Sequence, residues 1–201
     1  MTHVADKLIE LLNIEQLEVD LFRGIGSGGE TTTRIFGGHV IAQALMAAYR
    51  TVPDRLCHSL HAYFIRPGDP KIPVIYQVDR ARDGGSFTTR RVVAIQHGKQ
   101  IFNLSASFHV DEEGWNYQHP MPQVGSPEDW PNRDELREAH VAKIPEKYHD
   151  DFLRQRPIEL REVAPRDFFT PEKASDKNQL WFRMESAKGQ GPQMQHCLLA
   201  Y

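Results

Sequence analysis

Two hydrophobic patterns divide this chain. From Val40 to Tyr49 the positions are apolar on nearly every side, with alanines at 42, 44, 47 and 48, which predicts a slim helix that is buried all round. From Leu60 onward apolar and polar positions alternate. Leu60, Ala62 and Phe64 share one face of a strand and Val74, Tyr76 and Val78 another; Phe87 to Gln96 is rich in β-formers. Phe102, Leu104, Ala106, Phe108 and Val110 then alternate with Asn103, Ser105, Ser107 and His109. Tight turns are expected at Pro67-Gly68-Asp69-Pro70, Asp83-Gly84-Gly85 and His97-Gly98-Lys99. Shorter elements precede these: a helix over Asp6 to Leu12, a strand from Leu17 to Gly24 that alternates Val19, Leu21 and Ile25, a glycine-rich loop, and a strand over Thr31 to Phe36. The pattern predicts an α+β unit, an antiparallel sheet curled around one long central helix.

From Asp111 to Pro157 the chain turns to charges and prolines, with short polar helical runs over Arg133 to Ala142 and Glu146 to Arg154. Strand signals return at Ile158 to Val163 and Leu180 to Glu185. The chain closes on Gln195-His196-Cys197-Leu198-Leu199-Ala200-Tyr201, which repeats the Gln, Ala and Tyr spacing of Gln43-Ala44-Leu45-Met46-Ala47-Ala48-Tyr49. The expected organisation is therefore one complete unit (residues 1–111), a linking region (112–157) and the opening of a second unit (158–201). Such an opening would leave Leu198, Leu199 and Tyr201 exposed and favour self-association.

Across 201 residues, 24 basic and 27 acidic side chains give a net charge of −3 and are well mixed. That balance argues against nucleic acid or an anionic membrane as partner. The two cysteines, Cys57 and Cys197, lie far apart without zinc or disulfide spacing, which fits a reducing compartment. The N-terminus has no basic-then-apolar signal, and no apolar run approaches the roughly 20 residues that cross a bilayer. The expected location is cytoplasmic, or peroxisomal if a C-terminal address follows.

Several blocks occur in a fixed order: Arg34-Ile35-Phe36-Gly37-Gly38-His39-Val40, Gln43-Ala44-Leu45, His58-Ser59-Leu60-His61-Ala62-Tyr63-Phe64-Ile65-Arg66-Pro67-Gly68-Asp69, and Arg82-Asp83-Gly84-Gly85-Ser86-Phe87 with Arg90 and Gln96-His97-Gly98-Lys99. Together they resemble the type II acyl-CoA thioesterase family. The resemblance implies a double hotdog fold, in which two tandem sheets each wrap a central helix, and hydrolysis of acyl-CoA to free fatty acid and CoA. It also implies a homo-oligomer, with acyl-CoA as the small-molecule partner and with no cofactor or metal. The family's catalytic Asp follows almost directly after the segment matching Leu198-Leu199-Ala200-Tyr201, and its hydroxyl residue and Gln come later. On this resemblance all three fall beyond Tyr201, and the 201 residues alone are expected to be inactive.

The residues themselves offer candidates. Gly37 and Gly38 open the buried helix, where unpaired N–H groups and the helix dipole favour negative charge and missing side chains permit close approach. They could bind a thioester oxygen, or simply let the chain turn into the helix. His39 could line that site or cover the turn. His61 could face a pocket; His58 and His61, three apart in a strand, should point to opposite faces and not share an ion. Arg66, Arg82, Arg90 and Arg91 sit around strand ends and suit CoA phosphates, or pair with Asp69, Asp79 or Asp83. Cys57 has no base signalled near it, and Cys197 looks like core. The Gly24 to Gly29 stretch lacks the Gly-Lys-Ser/Thr of a phosphate loop. Two rivals remain: a hotdog enoyl-CoA hydratase, which would need an Asp/His pair near the helix start, and a non-catalytic acyl-CoA-binding or assembly module.

Overall fold

In the computed structural model, which describes residues 4–26, 33–167, 169–170, 173 and 176–201, Leu8 and Leu12 stack one turn apart and are buried by helix α1 (Val4–Leu12), while Lys7 and Glu10 face water. The strand expected over Leu17 to Gly24 is instead a hairpin of β1 (Glu15–Glu18) and β2 (Leu21–Gly24), with Glu18 opposite Leu21 across a Val19-Asp20 turn. Asp20 holds the turn through an ion pair to Arg80 at 2.8 Å. This reversal leaves Leu17, Val19 and Ile25 exposed and gives the core position to Phe22, which pairs with Tyr76. Residues 33–36 form no strand either. The chain bends at Thr33-Arg34 and then leads into the next helix, with Ile35 N–H donating to the Gly68 carbonyl at 2.9 Å. Thr31 and Thr32, and the loop glycines Gly28 and Gly29, lie outside the described residues.

Helix α2 (Gly37–Tyr49) buries His39, Val40 and every residue from Ala42 to Tyr49. Around it lie β3 (Leu56–Phe64), β4 (Val74–Asp83), β5 (Phe87–Gln96) and β6 (Lys99–His109), in an antiparallel sheet ordered β1-β2-β4-β5-β6-β3. The sheet's inner positions, among them Val74, Tyr76, Val78, Val92, Ala94, Phe102, Leu104 and Phe108, are all buried. Each large one contributes about 1.5–3 kcal/mol of transfer free energy, so the sheet-on-helix contact dominates this unit. The alanines let the strands approach the helix axis, and α2 packs on β4, β5 and β6. This is the hotdog architecture that the resemblance implies.

The chain folds as two compact units, one of residues 6–114 with 187–201 and another of residues 115–186 with the chain start. In the latter, α3 (Arg133–His140) is capped reciprocally. Asn132 Oδ1 accepts from Asp134 N–H at 3.0 Å, and Glu135 accepts from Asn132 N–H at 2.9 Å. A short α4 (His149–Phe152) follows, and β7 (Glu159–Glu162) pairs antiparallel with β8 (Leu180–Arg183).

The closing run forms α5 (Pro192–Ala200), which packs directly on α2 in the same compact unit. That contact corrects the expected exposure of Leu198, which is 6% exposed, whereas Leu199 at 67% is as expected. Tyr201 is half-buried, its ring edge-on to Phe36 at 5.2 Å between centroids. Tyr49 joins three elements: its hydroxyl accepts from Cys57 N–H at 2.9 Å and shares a hydrogen bond with His196 Nδ1 at 2.7 Å.

Candidate functional site

Helix α2 begins without a side-chain cap. Phe36 stands at the N-cap in extended conformation and makes no side-chain cap hydrogen bond, and His39 N–H reaches the Phe36 carbonyl at 3.1 Å. The N–H groups of Gly37 and Gly38 thus lie at the positive end of a helix of 13 residues. Both glycines are half-buried although the rest of the helix is nearly all buried, so the helix start is its accessible end. Gly38 permits a close approach: a Cβ there would overlap the Tyr201 carbonyl oxygen and lie 2.8 Å from its carbon. The start of α2 therefore faces the end of α5. Phe36 and Phe64 border the same spot.

His39 is 3% exposed. Burial pushes its imidazole down from 6.5 to about 4, against the opposing effect of a hydrogen bond to the Ile25 carbonyl. Its Nε2 is buried and has no hydrogen-bond partner among the described residues. A carbonyl only accepts, so the engaged ring nitrogen carries the proton and the neutral ring presents a lone pair at Nε2. Because the folded pKa lies below the unfolded one, the neutral ring stabilises the fold fully above about pH 6.5, and this contribution is lost as pH falls toward 4. Lowering the pH from 6.5 to 4 should therefore remove about 3 kcal/mol more stability from wild type than from His39→Gln, read by denaturant unfolding, from roughly 2.5 pKa units at 1.36 kcal/mol each. Parallel pH profiles would contradict this.

Next to His39, Gln43 is wholly buried. Its amide donates to the Leu11 carbonyl at 2.6 Å and the Ile25 carbonyl at 3.2 Å, and its oxygen accepts from Tyr76 O–H at 2.8 Å. His39 and Gln43 together hold the Ile25 carbonyl and pin the residues leading into the glycine-rich loop.

The other candidates are dispersed. His61 pairs with Ser105, is exposed, and lies edge-on to Tyr63 at 4.9 Å. Its neighbour Ala62 pairs with the buried Leu104, so His61 is on the sheet face away from α2. A bulge between Cys57 and Ser59 shifts register and turns His58 onto that same face, where Nε2 meets Ser107 Oγ at 2.8 Å. The expectation of opposite faces therefore fails, because the extra residue breaks the strand's two-residue period. Among the described residues no group of three or more His, Cys, Asp or Glu could hold a metal ion.

Arg90 is 1% exposed, and all five of its N–H donors are engaged inside the fold: Nε with Thr51 Oγ1, Nη1 with the Arg82 and Thr89 carbonyls, Nη2 with the Thr51 carbonyl and Asp83. It has no donor left for a phosphate, and the pairing alternative with Asp83 is the one realised, at 2.6 Å. Arg66, Arg82 and Arg91 are exposed. Arg66 donates to the Gln100 carbonyl, whereas Arg82 pairs with Thr89, opposite Ser107. Along β6 these places are roughly 24 Å apart at about 3.4 Å per residue, so the arginines form no single cluster. Burial raises both thiols, so Cys57 and Cys197 are protonated.

An open cleft of about 1000 Å³ lies at the other end of α2, lined by Met46, Arg50, Asp54, Cys57 and Met194 among others. It is roughly 18 Å along the helix from Gly37, and Arg50 is engaged with Asn13 at 2.7 Å. The chemistry of a helix start therefore belongs to the Gly37-Gly38 end. Sequence reasoning missed Gln43, Tyr49 and Phe64 as parts of this frame. Only the adjacency of Phe36 to Gly-Gly signalled an aromatic border.

A sequence profile described as the acyl-CoA thioesterase N-terminal domain matches residues 27–109. Acyl-CoA thioesterase 2 of Haemophilus influenzae is 38% identical over 202 residues, covering 100% of this chain and 70% of that protein. The crystal structure of the acyl-CoA thioesterase II TesB2 from Mycobacterium marinum superposes with a TM-score of 0.73 at 39% identity, over 96% of this chain and 66% of that one. A conserved protein of Alicyclobacillus acidocaldarius with a hot dog fold gives 0.70 at 20% identity, over 100% of this chain and 69% of that one, a likeness of fold. The chain thus spans about two thirds of the length of each relative.

Proposed function

The chain belongs to the acyl-CoA thioesterase family, and from that premise we propose that the whole protein hydrolyses acyl-CoA to free fatty acid and CoA, with Gly37 and Gly38 binding the thioester oxygen. The supporting observation is the uncapped, half-accessible start of α2, where two side-chain-free residues present N–H groups at the end of an otherwise buried helix. As water attacks the carbonyl carbon, negative charge grows on the oxygen, and each fixed N–H donor contributes about 3 kcal/mol to that state. The carboxylate, hydroxyl and Gln that position water are assigned to residues outside these 201. Residues 1–111 act as the first hotdog unit and 158–201 as the opening of the second, a reading supported by the shared spacing of α2 and α5.

Exposed Arg66 or Arg82 suits a CoA phosphate; they are too far apart for one group. A cytoplasmic homo-oligomer completes the reading. The oligomer is supported by β3 at the sheet edge with exposed Leu56, Tyr63 and Phe64; among the described residues no helix is long and apolar enough to cross a membrane.

The test is thiol release from acyl-CoA, run beside hydration of enoyl-CoA. The whole protein should release CoA and leave the double bond intact, whereas residues 1–201 alone should bind without turnover. Hydration without CoA release would replace the reading with a hydratase, and turnover by residues 1–201 would move the catalytic groups into this chain.

A further inference from the structure

The accessible start of α2 is bordered by rings on two sides. Phe64 ring atoms lie 3.0–3.7 Å from where a Cβ on Gly37 would stand, and the Phe36 ring lies 2.5 Å from the same point on Gly38. Each ring is supported along one edge. Phe64 rests against the buried Phe102 at 5.0 Å between centroids, and Phe36 against Tyr201 at 5.2 Å. Yet each is more than half exposed, 59% for Phe36 and 60% for Phe64. These are supported aromatic surfaces turned toward the space in front of Gly37 and Gly38.

The proposed binding of the thioester oxygen fixes what enters that space. An oxygen accepting from a helix-start N–H sits about 3 Å from the nitrogen, and the carbonyl carbon lies about 1.2 Å further. The sulfur and the first acyl carbon then fall within about 6 Å of the glycine backbone. Rings in contact with that backbone come within the roughly 4 Å of a side-chain contact with those atoms. Resting on that reading of the site, we infer that Phe36 and Phe64 are specificity-determining residues that contact the acyl chain beside the thioester and select straight-chain acyl-CoA over acyl-CoA branched at the carbon next to the carbonyl. A straight chain turns only hydrogens of that carbon toward the rings. An added methyl meets a ring backed by Phe102 or Tyr201, and making room for it costs part of that ring contact. One methylene against an apolar wall typically changes selection by about 10- to 200-fold.

The experiment uses the whole protein and compares kcat/KM for a straight acyl-CoA and its 2-methyl counterpart in wild type, Phe64→Ala and Phe36→Ala. Both side chains are largely exposed, so both variants should fold, which thermal unfolding checks. Wild type should favour the straight chain by about 10-fold or more, and at least one variant should shift the branched-to-straight ratio upward by about 10-fold. A ratio unchanged within about 2-fold in both variants, with wild type active, overturns the inference and leaves the thioesterase reading standing. Absence of hydrolysis of either substrate by wild type removes the reading and the inference together.

Discussion

Gly38→Ala should lower kcat/KM for acyl-CoA about 100-fold and destabilise the protein by about 1–3 kcal/mol. The added methyl would overlap the Tyr201 carbonyl oxygen and lie 2.8 Å from its carbon. That obstacle is backbone, which cannot swing aside as a side chain does. Either the start of α2 or the end of α5 must move, and about 1 Å of misplacement at a positioning site costs on the order of 100-fold. Better helix propensity returns at most about 1 kcal/mol. Gly37→Ala is the internal comparison, because its methyl would meet the Phe64 ring at 3.0 Å, a side chain that can turn. Its loss should stay under about 10-fold on the same argument. Equal activities for Gly38→Ala and wild type would mean that the helix start does not hold the thioester.

Arg90→Met should cost about 3 kcal/mol of stability, read from the urea midpoint, while KM for acyl-CoA stays within about 2-fold in the folded fraction. The guanidinium holds the buried Thr51 hydroxyl and carbonyl together with the Arg82 and Thr89 carbonyls. Each acceptor stranded in the interior costs about 1–3 kcal/mol, and relaxation and packing of the Met side chain offset part of the total. Asp83 is 59% exposed and rehydrates, so its share of the loss is small. Arg90→Lys should recover only part, since three donors on a compact ammonium cannot reproduce five in a planar fork. A raised KM with unchanged stability would instead mark a phosphate contact.

Much of the architecture was legible in residue order, for a physical reason. A helix with alanines among apolar residues has no polar face to offer water, so α2 had to be central. Alternation punctuated by Gly and Pro placed β3 to β6. The hairpin at Val19-Asp20 was not legible because a β-branched Val19 is a poor turn former, Asp20 stands without Gly, Pro or Asn beside it, and the alternation runs through both. The parity of β5 did hold information about Arg90: Thr88, Arg90, Val92 and Ala94 share one face, and two of them are plainly apolar. An arginine in that row had to be buried and internally paired. No local signal foretold the bulge that turns His58, because register depends on the partner strand. The approach of Tyr201 to Gly38 joins residues at opposite ends of the sequence and was visible only once α5 was seen lying on α2. The buried state of His39 is likewise tertiary, set by the chain near Ile25.

The Tyr49 hydroxyl sets the phase of the two packed helices. Besides accepting from the Cys57 amide, it shares a hydrogen bond with His196 Nδ1 at 2.7 Å, so one oxygen ties the start of β3 to the closing helix. Advancing α5 by one residue would rotate its surface by about 100° and bring Gln195 or Cys197 around in place of the imidazole. Neither offers a ring nitrogen at that reach. The hydroxyl thus works as an index pin: it admits one rotational setting of the closing helix against the first and rejects its neighbours.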